Sequence, residues 1–220
     1  MKRYSPEIEY LTGRFKASRH ASFRKVKFEY TGGSTQYLLK EAADSFEKMA
    51  EEAKKDKITL FIVSGFRSFN RQKRIWEDKY LGVTLVENKN LRETYPNHPE
   101  KRIALILKYS SIPGTSRHHW GTDLDINSVS PSYFNSGEGK KIHEWLEKNA
   151  SRYGFFQPYT PGRSKGYETE PWHWSYKKIS KSLLKKYLSN VTKDHIKGFE
   201  GDSFLPDSFL EDYVKGINHD

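Results

Sequence analysis

The sequence predicts an α+β fold in which a small sheet carries a polar site and helices pack on the outer side of that sheet. Two observations favour this class. Several segments place apolar residues at helical spacing, and short runs of β-branched and aromatic residues lie between them and end near glycine or proline. At 220 residues the chain can bury a substantial core, and the 15% of aromatic residues must supply much of it.

The first long helix is predicted over residues 35–55. Apolar side chains recur there every three or four residues, while lysine and glutamate occupy the other face, as in an amphipathic helix. The apolar residues are Leu38, Leu39, Ala42, Phe46, Met49, Ala50 and Ala53. We expect this helix to pack behind the sheet.

A strand is predicted at residues 58–63, where a β-branched and aromatic run ends near Gly65. Arg67 would therefore follow directly on the end of a strand. The next helix, over residues 70–80, would carry Gln72 in its first turn. Loops at strand ends commonly supply the residues of functional sites.

Short helices and strands alternate in the second half of the chain. Helices are predicted at residues 99–109, 140–149 and 182–188, and strands at residues 124–126 and 153–156. The loop at residues 158–169 is expected to form a cleft rim or a lid. A short apolar periodicity at residues 210–214 predicts an appended helix in the polar tail.

The net charge is +10, and a surface this basic attracts anionic partners through long-range fields. The lysines and arginines are spread along the whole chain. No helix-turn-helix, zinc-knuckle or RNA-recognition motif concentrates them. We therefore expect no nucleic-acid partner.

Two features that the sequence lacks exclude a class of metal ligand and a membrane span. The chain has no cysteine, so a metal ion would be held by nitrogen and oxygen donors alone. No stretch approaches the roughly 20 apolar residues of a membrane-spanning helix, and we expect no membrane span.

The most informative residues lie in two segments, 116–125 and 170–173. Together they offer two imidazoles, a carboxylate and a further glutamate, which are the groups of a catalytic zinc site. Such a site uses three protein ligands, keeps a fourth position open and has a carboxylate nearby as the base. The predicted ligands to one Zn²⁺ per chain are His118, Asp125 and His173. The predicted base is Glu170.

Local structure leaves one choice of ligand open. Asp123 and Asp125 are two residues apart on the predicted strand, so both side chains point the same way and either could reach the metal. The spacing of Glu170 and His173, beside alternating tryptophans, fits a strand that follows a loop better than a helical metal motif. The base would then come from the loop and the ligand from the strand.

These residues resemble the signature of the D-alanyl-D-alanine metallocarboxypeptidases of the VanY and VanX type. The matching pattern is Ser116-x-His118-x-x-Gly121-x-x-x-Asp125 followed by Glu170-x-x-His173. The resemblance covers roughly residues 58–176. It implies a hedgehog/DD-peptidase-like fold in which a small antiparallel sheet carries the zinc site, and it assigns the same three ligands and the same base.

The resemblance also implies residues that contact the substrate. Arg67 matches a residue that either polarises the scissile carbonyl or binds the substrate carboxylate. Gln72 and Ser116 match residues that help to hold the terminal carboxylate. The chain departs from the family at Asp123, where a small residue is usual, so a second acid lies beside the metal site.

By resemblance, the expected function is that of a zinc-dependent D-alanyl-D-alanine carboxypeptidase acting on the terminal peptide bond of peptidoglycan stem peptides. Such a partner implies a periplasmic location or an extracellular, cell-wall-associated one, with a signal peptide that is not present in this chain. Two alternatives are an endopeptidase that cuts an internal L,D bond and a non-catalytic zinc-containing binding module. Arg67, Gln72 and Ser116 argue against the first, and Glu170 argues against the second.

The remaining histidines are predicted to be structural or to lie on the surface. For His119, packing against Trp120 is favoured over a hydrogen bond behind a metal ligand. No role is assigned to His20, His98, His143, His195 and His219.

The domain organisation follows from the placement of the motifs. We expect a single peptidase domain over residues 1–220, with the motif-bearing core at residues 36–188. Residues 189–220 would form a C-terminal helical extension. No feature of the sequence specifies an oligomeric state.

Overall fold

The computed structural model describes residues 4–219. In that range the α-helices are α1 (Pro6–Leu11), α2 (Lys40–Lys55), α3 (Phe69–Tyr80), α4 (Leu91–Thr94), α5 (Pro99–Tyr109), α6 (Gly137–Asn149) and α7 (Lys177–Asn190). The strands are β1 (Phe23–Lys25), β2 (Tyr37–Leu39), β3 (Ile62–Ser64), β4 (Asp123–Ile126), β5 (Phe155–Phe156) and β6 (His173–Tyr176).

The central sheet is antiparallel and has the strand order β3-β4-β6-β5. Strands β1 and β2 form a separate antiparallel pair. In the centre of the larger sheet, Asp125 lies opposite His173 and Asp123 lies opposite Ser175. The predicted α+β fold with a small antiparallel sheet is confirmed.

The two faces of strands β4 and β6 have different partners because successive side chains of a strand alternate between faces. Leu124 and Trp174 belong to the same buried apolar cluster as Phe46 and Met49 of α2. Helix α2 therefore packs behind the sheet, as predicted. The intervening residues of both strands point to the opposite face, where the polar site lies.

The first long helix begins later than the sequence predicts. Helix α2 starts at Lys40, whereas Leu38 and Leu39 lie in β2, where Leu39 is opposite Phe23. The apolar spacing of these two leucines fits a helix and a strand equally well. Pairing with a distant segment decides between the two, and local spacing cannot show it.

Other elements agree with the sequence to differing degrees. Helix α3 carries Gln72 in its first turn as predicted, and the Ser68 hydroxyl caps it by accepting a hydrogen bond of 3.3 Å from the Arg71 amide. Helix α5 has the predicted bounds. Helices α6 and α7 are longer than predicted, and β3 begins only at Ile62.

The tail after α7 is mostly irregular. The predicted helix there is a five-residue π-helical turn, Leu210–Val214. Phe199 and Phe209 of the tail are nevertheless buried in one cluster with Trp76 and Trp120. The tail therefore completes the apolar core beside α3. No helix among residues 4–219 is long and apolar enough to cross a membrane.

Candidate active site

Three side chains from separate parts of the chain converge on the polar face of the sheet. His118, Asp125 and His173 each offer one ligand atom, and these atoms lie within 4.8 Å of one another. All three side chains are buried. The structure thus brings together the three residues that the sequence predicts as metal ligands.

His118 is held in one orientation by the backbone. It lies in a 3₁₀ turn, Arg117–Trp120, that precedes β4. Its Nδ1 atom is 2.9 Å from the Gly65 carbonyl oxygen, so Nδ1 carries the proton and donates it. This arrangement leaves Nε2 free to face Asp125 Oδ1, at 3.4 Å.

His173 is oriented in the same way by a carboxylate. Its Nε2 atom donates to Asp123 Oδ1 at 3.0 Å, and its Nδ1 atom is 3.3 Å from Asp125 Oδ1. Burial disfavours the charged ring, but the neighbouring carboxylates of Asp123, Asp125 and Glu170 outweigh burial and raise the pKa of His173 well above its ordinary value. The site therefore attracts positive charge strongly.

The Asp123 carboxylate lies behind the donor group and is saturated by hydrogen bonds from other residues of the protein. Its carboxylate accepts hydrogen bonds from Arg117 Nε at 2.8 Å, Thr122 Oγ1 at 2.5 Å and Ser175 Oγ at 3.0 Å. It also accepts the hydrogen bond from His173. Asp123 therefore orients His173 from behind, and Asp125 is the aspartate in the donor group.

The donor group suits a small divalent cation. Oδ1 of Asp125 is buried and accepts no hydrogen bond from any residue between 4 and 219, although imidazole nitrogens face it. Burial raises the pKa of Asp125, but the two neighbouring histidines outweigh burial and lower it below the ordinary value. Two imidazoles and one carboxylate, each oriented from behind, form a donor set typical of catalytic zinc.

Glu170 lies beside the donor group in the loop before β6. Its Oε2 atom is 3.2 Å from His173 Nδ1, and its side chain is 17% exposed. Its backbone amide donates to the Tyr159 carbonyl oxygen at 3.0 Å. As predicted, the glutamate comes from the loop and the histidine from the strand.

Arg67 follows β3 and borders the same group. Its two terminal nitrogens donate to Gln72 Oε1 and Ser64 Oγ, both at 2.9 Å, and to Asp125 Oδ2 at 3.3 Å. Burial lowers the pKa of Arg67, and the charge of Asp125 opposes that shift. The guanidinium is thus fixed next to a predicted metal ligand.

Gln72 and Ser116 lie behind the cleft surface. Gln72 is fully buried, accepts from Arg67 and donates to the Ser111 carbonyl oxygen at 2.7 Å. Ser116 is buried, and its hydroxyl has no hydrogen-bond partner among residues 4–219. Neither residue lines the cavity beside the donor group. Direct contact of Gln72 or Ser116 with a substrate stays a prediction.

His119 differs from its predicted role. Its Nε2 atom accepts from the Gly114 amide at 3.0 Å, and its Nδ1 atom donates to the Arg67 carbonyl oxygen at 2.5 Å. Burial lowers the pKa of His119 to about 3, in agreement with a neutral ring that donates and accepts. The expectation of simple packing against Trp120 is wrong, since His119 fixes the backbone of Arg67.

A cavity of about 400 Å³ opens beside these residues. The Tyr159 ring forms part of its wall and contacts His173 edge-on, with ring centroids 4.7 Å apart. The loop predicted as a cleft rim contributes Tyr159 and Glu168. The sequence pattern marked that loop without showing which of its residues face the cavity.

Sequence reasoning also missed Lys79 and Arg117. Lys79 lies on α3 and lines the cavity, and Arg117 neutralises the buried Asp123. A signal for Lys79 exists, because it is seven residues after Gln72 and so on the same helix face. No local signal pairs Arg117 with Asp123.

A family model for VanY, D-alanyl-D-alanine carboxypeptidase, matches residues 35–179. A putative carboxypeptidase, YodJ, of Bacillus subtilis (strain 168) is 32% identical over 170 residues, which are 72% of this chain and 56% of the relative. A D-alanyl-D-alanine carboxypeptidase of Enterococcus faecalis (strain ATCC 700802 / V583) is 27% identical over 137 residues, 59% of this chain and 44% of the relative. The chain thus spans about half the length of these curated relatives.

Solved structures share the fold. VanYB in complex with D-alanine-D-alanine has a TM-score of 0.55 at 20% identity, covering 81% of this chain and 93% of that one. A VanY D,D-pentapeptidase in complex with Zn(II) has a TM-score of 0.53 at 20% identity, covering 79% and 94%. The LdcB LD-carboxypeptidase has a TM-score of 0.55 at 24% identity, covering 91% and 81%. By the match to its family model, the chain belongs to the VanY family of D-alanyl-D-alanine carboxypeptidases.

Proposed function

We propose that this chain is a zinc-dependent D-alanyl-D-alanine carboxypeptidase that removes the terminal residue of peptidoglycan stem peptides. The observation that carries the proposal is a glutamate, Glu170, beside a buried His–Asp–His donor group at the wall of a cleft. Family membership and a relative solved with D-alanine-D-alanine support the substrate class.

His118, Asp125 and His173 would hold one Zn²⁺ per chain. When bound, zinc supplies a Lewis acid that polarises a carbonyl and acidifies water. The Gly65 carbonyl and the Asp123 carboxylate fix the two imidazoles so that one nitrogen of each would be available to the ion.

Glu170 acts as the general base and then as the general acid of the reaction. Its carboxylate accepts a proton from the attacking water and delivers it to the leaving amine nitrogen. The side chain is suited to this role because it borders the cavity and is partly exposed. The Tyr159 carbonyl, which accepts from the Glu170 amide, holds that segment in place.

Arg67 supplies positive charge for the substrate, either at the scissile carbonyl oxygen or at the terminal carboxylate. Gln72 positions the Arg67 side chain, and His119 positions its backbone. The hydroxyl of Ser116, which has no hydrogen-bond partner among residues 4–219, is proposed to help hold the carboxylate. A location outside the cytoplasm, in the periplasm or the cell wall, follows from a stem-peptide substrate.

The test is the product of the reaction. Zinc-loaded protein is incubated with a synthetic stem pentapeptide that ends in D-alanyl-D-alanine, and the products are identified by mass spectrometry. We expect a tetrapeptide and free D-alanine. An internal cut would replace the proposal with an endopeptidase, and an intact pentapeptide would leave a binding module.

A further inference from the structure

The cleft wall contains two cations besides Arg67: Lys108, which is paired with Glu87 at 2.9 Å, and Lys79. Lys79 lies on the same face of α3 as Gln72 and Ile75, and both Ile75 and Lys79 line the cavity with the donor group and Glu170. Lys79 is therefore positioned beside the space that a substrate would fill.

Lys79 lacks an acidic partner in the part of the chain that the structure describes. Its Nζ atom donates to Ser110 Oγ at 2.6 Å, and no carboxylate of residues 4–219 lies within ion-pair distance. The other cations around the site are paired, Arg67 with Asp125 and Arg117 with Asp123. A half-buried ammonium that donates to a single hydroxyl retains hydrogen-bonding capacity for an anion.

The surroundings of Lys79 favour a bound anion. Burial, followed by the charge of Arg67, lowers the pKa of Lys79, and Glu170 is the acid that opposes this shift. Gln72 is anchored on Ser111 and Lys79 on the adjacent Ser110. Lys79 and Arg67 therefore both line the cavity, and Gln72 supports Arg67 from behind.

Arg67 and Lys79 differ in the hydrogen-bonding capacity that each has left for a substrate. The terminal nitrogens of Arg67 already donate to Ser64, Gln72 and Asp125. Since Asp125 belongs to the donor group, the guanidinium is held beside the predicted metal ligands, where a carbonyl polarised by the metal would lie. The terminal carboxylate of a substrate is one residue further on, about 3.8 Å by the spacing of α-carbons.

We propose that Lys79 binds the terminal carboxylate of the peptide substrate and that Arg67 faces the scissile carbonyl oxygen. This inference rests on the proposed function for the identity of the substrate. It assigns to Lys79 the selection of free-acid peptides, and to Arg67 a part in the chemical step.

The first experiment compares Lys79→Met with Lys79→Arg and with Arg74→Met. Arg74 is on the same helix with an 85% exposed side chain, so Arg74→Met removes one positive charge away from the cleft. With the free-acid pentapeptide, Lys79→Met should raise KM by roughly 10- to 100-fold, the range for a charge-assisted hydrogen bond, while kcat changes little. Lys79→Arg should restore most of the lost affinity, and Arg74→Met should behave like the parent.

Two further peptides test whether Lys79 binds the terminal carboxylate or an internal carboxylate of the peptide. On the C-terminal amide, the parent and Lys79→Met should have equal rates. On an acid peptide with every internal carboxylate amidated, the effect of Lys79→Met should persist. An equal KM for the acid in parent and Lys79→Met, or an effect that follows the internal carboxylates, overturns the inference.

A binding measurement separates this inference from the proposed function. The pentapeptide acid and its C-terminal amide are titrated into the zinc-loaded Glu170→Ala protein by calorimetry, with and without Lys79→Met. Tighter binding of the acid that depends on Lys79 supports the inference even if the parent hydrolyses nothing. Equal affinity for the acid and the amide overturns it, whatever the parent hydrolyses.

Discussion

Asp123 and Asp125 have the same side chain and lie on the same face of one strand, but their neighbours give them different tasks. Asp123 faces Ser175 and is surrounded by Arg117 and Thr122, so its lone pairs are used inside the protein. Asp125 faces His173, and one of its oxygens is left for a ligand outside the chain. The difference between a ligand and its support therefore resides in the partners of each carboxylate.

Replacement of a predicted zinc ligand should reduce zinc binding more than replacement of Asp123, which orients His173. Asp125→Ala, like His118→Ala or His173→Ala, should abolish stoichiometric zinc, because a three-ligand site loses both affinity and geometry. Asp123→Asn should retain zinc with an affinity lowered by about 10- to 100-fold. Elemental analysis and competition with a chelator measure both. Stoichiometric zinc in Asp125→Ala together with metal loss in Asp123→Asn would reverse the assignment.

Glu170 should be needed for chemistry and not for the metal. Glu170→Ala should keep its zinc and its melting temperature, but hydrolysis should slow by roughly 10²- to 10⁴-fold, as for loss of a general base. Steady-state rates on the pentapeptide and elemental analysis of the same sample provide the test. A Glu170→Ala protein with less than half the parental zinc would instead place this glutamate among the ligands.

At the scale of elements, the site depends on how the turn before β4 meets the β1–β2 pair. Gly121 ends the 3₁₀ turn with a φ of 71°, a conformation that glycine adopts readily. A Cβ atom at this position would overlap the Phe23 ring. The chain passes from His118 to Asp125 through this contact, so the turn sets where β4 begins.

Gly121→Ala should therefore be more destabilising than an alanine at an unobstructed glycine. Gly162 has a φ of 79°, and an added Cβ atom there would meet open space, so Gly162→Ala isolates the cost of the backbone conformation. We expect about 1 kcal/mol for Gly162→Ala and about 2–4 kcal/mol for Gly121→Ala, which adds overpacking against Phe23. Urea unfolding measures both, and equal losses would mean that the Phe23 ring moves aside freely.

At the scale of the whole molecule, the tail contacts both the apolar core and the loop at the cleft rim. Residues 180–220 lie beyond the region matched by the family model, but the tail buries Phe209 beside α3. It also contacts the cleft-rim loop, through an ion pair of Asp212 with Lys165 at 2.6 Å and a hydrogen bond from Arg163 to the Gly216 carbonyl oxygen at 2.9 Å. We propose that the tail and the motif-bearing core form one folding unit.

Phe209→Ala tests this unit against Phe204→Ala, a change of the same kind at a 52% exposed ring. Removal of the fully buried Phe209 ring should cost about 3–5 kcal/mol, whereas Phe204→Ala should cost below about 1 kcal/mol. Both variants should unfold in a single transition that tryptophan fluorescence and circular dichroism report at the same urea concentration. A separate early transition confined to Phe209→Ala would show that the tail folds independently.

The sequence alone determined the α+β class, most helices and the identity of the three donor residues and of Glu170 beside them. Amphipathic spacing in α3 and α5 is a local property, and the two motifs carry their chemistry in adjacent residues. The placement of Glu170 in a loop and His173 on a strand could be derived from spacing and turn residues. These features needed no knowledge of distant parts of the chain.

The tertiary structure decided everything that depends on partners remote in sequence. Leu38 and Leu39 join a strand because Phe23 lies opposite, and Asp123 is excluded from the donor group because Arg117 and Ser175 occupy it. Lys79 gains its place in the cleft from the packing of α3 beside Ser110. Such roles arise from pairing and burial between segments far apart in sequence, which no local pattern records.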